Sequence, residues 1–238
     1  MGRQYLLVDD NRAFAENVAE IVRDLGDEMA VVDGGEQALA LVRRRRFDAV
    51  VTDMRMPAMG GAELVREIRR VDPGVPAIVV TAHVADRELD AARREGLLAV
   101  LSKPVPIHGL LELLAAARRD ALVAVVDDDR WLAENVCEAL RARGFAAVTA
   151  ASVLETDGLA PLRPFVALVD LHVPGGAPGE AMIRLSERFP GMPHLVVSGY
   201  PDAAPIPCAA RFDKPFDTGA LLAEVERWYA AGRAAASP

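Results

Sequence analysis

Three acids, a hydroxyl and a lysine are placed to do chemistry in this chain. Asp9-Asp10 follows Tyr5-Leu6-Leu7-Val8, Asp53 ends the run Ala49-Val50-Val51-Thr52, Thr81 ends Ala77-Ile78-Val79-Val80, and Lys103 comes just after Leu98-Ala99-Val100-Leu101. Each polar residue sits where an apolar, strand-type run stops. In an open parallel sheet, ligands bind outside the carboxyl ends of the strands, so these side chains can converge on one site. Carboxylates a few ångströms apart repel unless a hard cation joins them, and Mg²⁺ accepts one or two carboxylates while keeping its waters. A magnesium site at Asp9, Asp10 and Asp53 is the simplest inference. With two charges offset by the metal, the remaining oxygen of Asp53 is a nucleophile toward phosphorus, and Thr81 and Lys103 can hold the phosphoryl oxygens. The product is an aspartyl phosphate.

Alternating strands and helices must position these residues. After the acid pair, Asn11 precedes a helical pattern with apolar residues at Phe14, Val18, Ile21, Val22 and Leu25, and Gly26 closes it. A strand at Met29 to Val32, a helix over Gly35 to Val42 and the strand ending at Asp53 follow. Further helices are expected over Ala62 to Val71, Ala85 to Glu95 and Ile107 to Arg119, with strands between them. Five such units predict a parallel sheet covered by helices on both faces.

The pattern then restarts. Leu122-Val123-Ala124-Val125-Val126 leads into Asp127-Asp128, and residues 126–144 match residues 8–26 at 11 of 19 positions. Ala167-Leu168-Val169-Asp170 repeats the run into Asp53, and Pro174 repeats Pro57 four positions on. An internal duplication explains this. The expected domains are residues 1–119 and 120–238, joined only by Asp120 and Ala121, a linker too short to be floppy.

Composition narrows the function. The net charge of −8 argues against nucleic acid as a partner, and the one basic run, Arg43-Arg44-Arg45-Arg46, ends a helical pattern where cations suit the dipole. No apolar run reaches the length of a membrane span and no signal peptide is recognisable, so a cytoplasmic protein is expected. Cys137 and Cys208 read as reduced packing residues. His83, His108, His172 and His194 show no metal spacing and read as surface residues or neighbours of the site, and no phosphohistidine donor is recognisable. Asp33-Gly34-Gly35-Glu36 lacks the lysine and hydroxyl of a phosphate loop, so the phosphoryl group must come from a partner or a small donor.

Taken singly, each residue fits an ordinary role: a turn acid, a helix cap, a loop lysine. Their order does not. The acid pair after strand 1, Asp-x-x-x-Pro after strand 3, Thr81-Ala82 after strand 4 and Lys103-Pro104 after strand 5 resemble the receiver domain of two-component response regulators. The second copy matches through Asp127, Asp128, Asp170, Ser198-Gly199 and Lys214-Pro215. The resemblance implies two tandem flavodoxin-like (βα)5 domains, each with a five-stranded parallel sheet of order 2-1-3-4-5. It implies Asp53 and Asp170 as phosphoacceptors, and Thr81, Lys103, Ser198 and Lys214 as phosphoryl contacts. It implies Mg²⁺ held by Asp9, Asp10 and Asp53 with the Arg55 carbonyl, and by Asp127, Asp128 and Asp170 with the His172 carbonyl. It also implies cis peptides before Pro104 and Pro215, a sensor histidine kinase or phosphotransfer protein as donor, and a downstream protein or a second copy of the chain as target. Such a protein is a switch that loses its own phosphoryl group with time, not a turnover enzyme.

Three departures qualify that picture. The family's aromatic three residues before the lysine is replaced by Val100 and Arg211, and Phe212, one residue off, would face the other way. Pro201, Pro205 and Pro207 crowd the shortened stretch between Ser198 and Lys214, so the second domain is expected to lack most of its helix 4 and to bare Leu195, Val196, Val197 or Phe212. Pro161 and Pro164 predict a short second helix in that domain. After the final helix, expected over 217–231, the remaining tail is too short for an output domain. An alternative is therefore one active receiver beside a pseudo-receiver that serves in dimerisation or docking. An aspartate-based phosphatase is excluded, because its Asp-x-Asp would need an acid where Arg55 and His172 stand.

Overall fold

A computed structural model describes residues 2–82, 87–201 and 204–236. Two five-stranded parallel sheets organise the chain, which passes from one compact unit to the other between Asp120 and Ala121.

The first unit contains β1 (Gln4–Val8), α1 (Arg12–Asp24), β2 (Glu28–Val32), α2 (Gly35–Val42), β3 (Ala49–Asp53), α3 (Gly61–Val71), β4 (Ala77–Thr81), α4 (Arg87–Arg93), β5 (Ala99–Ser102) and α5 (Ile107–Ala116). Its strand order is β2-β1-β3-β4-β5. The inner strands are buried on both faces, which is why their sequences are near-continuous apolar runs. Leu7, Val51 and Val80 pack with Val18 and Val22 of α1 and Leu110 of α5. On the opposite face Val8 and Val50 meet Leu39 of α2 and Leu64 of α3, and Val79 meets Leu89 of α4. Asn11 caps α1 by accepting the Phe14 N–H at 3.2 Å. Leu25 lies just past that helix and is exposed.

The second unit contains β6 (Leu122–Val126), α6 (Arg130–Ala142), β7 (Ala146–Ala150), a 3₁₀ turn (Leu154–Leu159), β8 (Val166–Val169), α7 (Glu180–Arg188), β9 (His194–Ser198), β10 (Ala210–Asp213) and α8 (Thr218–Ala236). Read from β7, its order is β7-β6-β8-β9-β10, again 2-1-3-4-5. The short 3₁₀ turn stands where the prolines predict a short helix. No helix lies between β9 and β10 among the described residues, so the loss of helix 4 is real.

Several expectations need correction. The predicted bare flank is covered on β9 and partly open on β10: Leu195 and Val196 are fully buried and Val197 is 5 % exposed, while Phe212 is half-buried. β9 is an inner strand, and the loop after it folds back, with Pro205 so close to Gly179 that a methyl there would lie 2.6 Å from its ring. His194 is buried, not superficial, because it opens that inner strand in register with Ala167. Cys137 packs in the core as expected, but Cys208 is exposed. The helix predicted over 107–119 stops at Ala116, since Ala117 turns to an extended conformation (ψ 131°), and α8 runs five residues beyond its predicted end. Five residues therefore separate α5 from β6. Arg119 among them is tied to the first unit through both carboxylate oxygens of Asp72, at 2.7 and 2.8 Å, and the Phe47 carbonyl. Of the helix predicted over Ala85 to Glu95, the part before Arg87 lies outside the described residues, as does His83.

Candidate functional site

Strand order reverses between β1 and β3, and the acids collect there at the carboxyl ends. β1 delivers Asp9, buried at 1 % exposure, and Asp10, exposed in the turn behind it. The Asp9 carboxylate is oriented by the Asn11 N–H at 2.8 Å. β3 ends on Asp53, whose Oδ1 accepts from the Arg55 N–H at 3.3 Å. Behind it, α3 starts so close that a side chain on Gly61 would lie 2.4 Å from the Asp53 carbonyl oxygen, a contact only glycine permits. β4 ends on the buried Thr81, and the Lys103 N–H donates to its carbonyl at 2.8 Å. The Lys103-Pro104 peptide is cis, and the Lys103 ammonium lies 2.6 Å from Asp53 Oδ2 and 3.3 Å from Asp9 Oδ2.

The second unit repeats this arrangement with β6, β8, β9 and β10. Asp127 and Asp170 are buried and Asp128 is exposed. Lys214, after the second cis peptide, reaches Asp127 Oδ2 at 2.6 Å and Asp170 Oδ2 at 2.7 Å. The Asp129 and His172 N–H groups orient the two carboxylates, both at 3.0 Å, and Ser198 is fully buried where the first unit has Thr81.

The electrostatics follow from burial against pairing. Burial pulls both lysine ammoniums down, but the hydrogen bonds and charges of their paired acids outweigh it, so Lys103 and Lys214 sit above the usual lysine value. Burial pushes the Asp127 carboxyl up, against the pull of Lys214. In each unit three acids offer oxygens within 4.8 Å of one another. Three negative charges and one lysine leave two in excess. An all-oxygen donor set with that excess fits a hard divalent cation such as Mg²⁺.

Each unit thus brings its three acids and its lysine together, with Thr81 or Ser198 at the end of the next strand. What sequence reasoning missed is a second layer over the second set. The rings of His172 and Tyr200 meet there, 4.2 Å between centroids, and the Arg211 guanidinium donates to the Tyr200 carbonyl. A signal was available, since Tyr200 stands two residues after Ser198 as His172 stands two after Asp170. Register supports the reading of the strand: Arg211 pairs with Val196 and Phe212 with Val197, so Phe212 shares the opposite face.

Comparison with known proteins agrees with this geometry. Residues 5–115 match the response regulator receiver domain family. The chain is 66% identical over 225 residues to a response regulator receiver protein of Anaeromyxobacter sp. (strain Fw109-5), covering 94% of each. It is 32% identical over 126 residues to the transcriptional regulatory protein GlrR of Escherichia coli (strain K12), covering 53% of this chain and 28% of that one. Among solved structures, it is 30% identical to the receiver domain of sensor histidine kinase PA1611 from Pseudomonas aeruginosa PAO1, determined with a magnesium ion coordinated in the active site cleft. That match covers 48% of this chain and 95% of the other, with a TM-score of 0.42. Likeness along nearly the whole length of a receiver protein, two sheets of order 2-1-3-4-5 and two sets of strand-end acids lead to one conclusion: this chain belongs to the response regulator receiver family, with one receiver-type unit in each half.

Proposed function

We propose that the chain is a tandem phosphoacceptor that takes a phosphoryl group on Asp53 and on Asp170 from a partner histidine kinase or phosphotransfer protein. The observation that carries this reading is the lysine ammonium held between two buried acids in each unit, 2.6 Å from Asp53 and 2.7 Å from Asp170. One carboxylate oxygen forms the new bond to phosphorus, the bond from phosphorus to the donor's leaving atom breaks, and the electron pair departs with the donor. Lys103 and Lys214 balance charge on the phosphoryl oxygens, with the Thr81 and Ser198 hydroxyls as further donors. Asp9, Asp10, Asp53 and the Arg55 carbonyl would hold Mg²⁺ in the first unit, and Asp127, Asp128, Asp170 and the His172 carbonyl in the second. The bound ion would offset the carboxylates' charge and polarise the phosphoryl group. The signal then passes by contact with a downstream protein or a second copy of the chain.

Labelling with acetyl phosphate and Mg²⁺, followed by mass measurement, tests this. Two modified aspartates are expected, one in Asp53→Asn and one in Asp170→Asn. A single site at Asp53 would favour the second reading, a pseudo-receiver for docking, which the lack of a helix between β9 and β10 among the described residues supports. No modification of either would refute both.

A further inference from the structure

In the second unit Arg211 stands three residues before the lysine, where the family has an aromatic, and no helix lies between β9 and β10 among the described residues, so a signal from this unit needs another route. The His172 N–H donates to the Asp170 carboxylate at 3.0 Å, and the Tyr200 N–H donates to the Ser198 hydroxyl at 3.3 Å. One ring is thus rooted on the acceptor carboxylate and the other on the hydroxyl across the site, and the two meet at 45° with 4.2 Å between centroids. Arg211 holds the Tyr200 carbonyl and is itself set by the Asp213 carboxylate at 2.9 Å. The residue standing in the aromatic's place therefore fastens a loop that carries a different aromatic. Tyr200 is 57 % exposed, so its ring is open to a partner.

We propose that the His172–Tyr200 ring contact is the phosphorylation-sensitive element of the second unit, a reading that rests on Asp170 being the phosphoacceptor. A phosphoryl group adds three acceptor oxygens at Asp170. The Ser198 hydroxyl has one proton to donate to them and still accepts from the Tyr200 N–H, because a hydroxyl carries two lone pairs. Movement of Oγ toward the phosphoryl oxygens draws the Tyr200 backbone with it. His172 is rooted on Asp170 itself and does not follow, so the rings slide past one another. The first unit has Arg55 where His172 stands.

The test uses the full chain with Asp53→Asn, which silences the first unit. The imidazole Hε1 resonance of His172, assigned through His172→Gln, is followed by NMR as fluoroberyllate, an acyl-phosphate mimic, is added with Mg²⁺. Acetyl phosphate labelling of the same protein is counted by mass in parallel. The resonance is expected to move by more than its line width, and to stay in place when Asp170→Asn is added. In Tyr200→Leu, which alters an exposed side chain, it is expected to start at a different position and to move little. A stationary resonance with Asp170 labelled overturns the ring contact and leaves the phosphoacceptor reading intact. An undiminished movement in Tyr200→Leu overturns it equally. Absence of label at Asp170 overturns the reading beneath it, and the proposal with it.

Discussion

Asp53→Asn separates the charge balance of the metal-free site from the contribution of the cation. The Lys103 ammonium lies 2.6 Å from Asp53 Oδ2, an attraction of roughly 6 kcal/mol at an effective dielectric of about 20. Asp9 lies within 4.8 Å of the same carboxylate, a repulsion of roughly 3.5 kcal/mol on the same footing. Asp10 adds a smaller, solvent-screened repulsion, and burying a carboxylate costs several kcal/mol more. These terms nearly cancel, so in EDTA the variant should match the wild type within about 1 kcal/mol. Mg²⁺ at a hundredfold excess over its Kd adds about 2.7 kcal/mol to a protein that binds it only when folded. At about 4 °C per kcal/mol for a unit of this size, the wild-type midpoint should rise by about 11 °C. The variant, with one carboxylate fewer, should rise by much less. The assay is thermal melting followed by circular dichroism, both proteins carrying Asp128→Asn to weaken the second site. A variant that loses as much stability in EDTA as in Mg²⁺ would refute the reasoning.

Other positions give independent checks. Gly61→Ala should cost about 1–3 kcal/mol and depress labelling of Asp53, because its methyl would lie 2.4 Å from the Asp53 carbonyl oxygen; normal labelling at normal stability would contradict this. Arg69 is 3 % exposed and donates to the carbonyls of Pro73, Val75, Glu95 and Gly96, so Arg69→Met should cost about 3–5 kcal/mol, and Arg69→Lys, lacking the planar fork, should restore less than half by urea unfolding. Burial lowers the pKa of His194, so the unfolded chain takes up its proton first as pH falls. Stability from this group is whole above the unfolded value of about 6.5 and is lost below it, down through the folded value; His194→Leu should flatten that part of the pH dependence of the second unit's midpoint.

Much of this molecule was legible because its strands are buried on both faces. A run such as Ala49 to Thr52 has one reading in a parallel sheet, and the acid at its end marks the carboxyl edge. Gly35 to Val42 could be bounded to the residue, since the apolar spacing and the charged run after it agree. The ends of α5 and α8 were less legible, because alanine favours helix and does not mark where one stops. The burial of His194 and of the β9 residues depended on β9 taking an inner place in the sheet, a pairing between segments far apart in sequence. The ring pair was hidden for the same reason: spacing locates His172 and Tyr200 on two loops, and only the fold brings those loops together.

The groups that bond the acids among the described residues come from the few residues after a strand: β1, β3 and β5 in one unit, β6, β8 and β10 in the other. Among the described residues, none comes from the segment between strands four and five. After an ancestral gene doubled, that segment was therefore free to drift, and one copy could discard a helix while its lysine kept the acid of the third strand at 2.7 Å, against 2.6 Å in the other copy. Chemistry and readout are separately heritable in such a repeat, and a duplicated receiver can change what it speaks to while its reactive centre stands still.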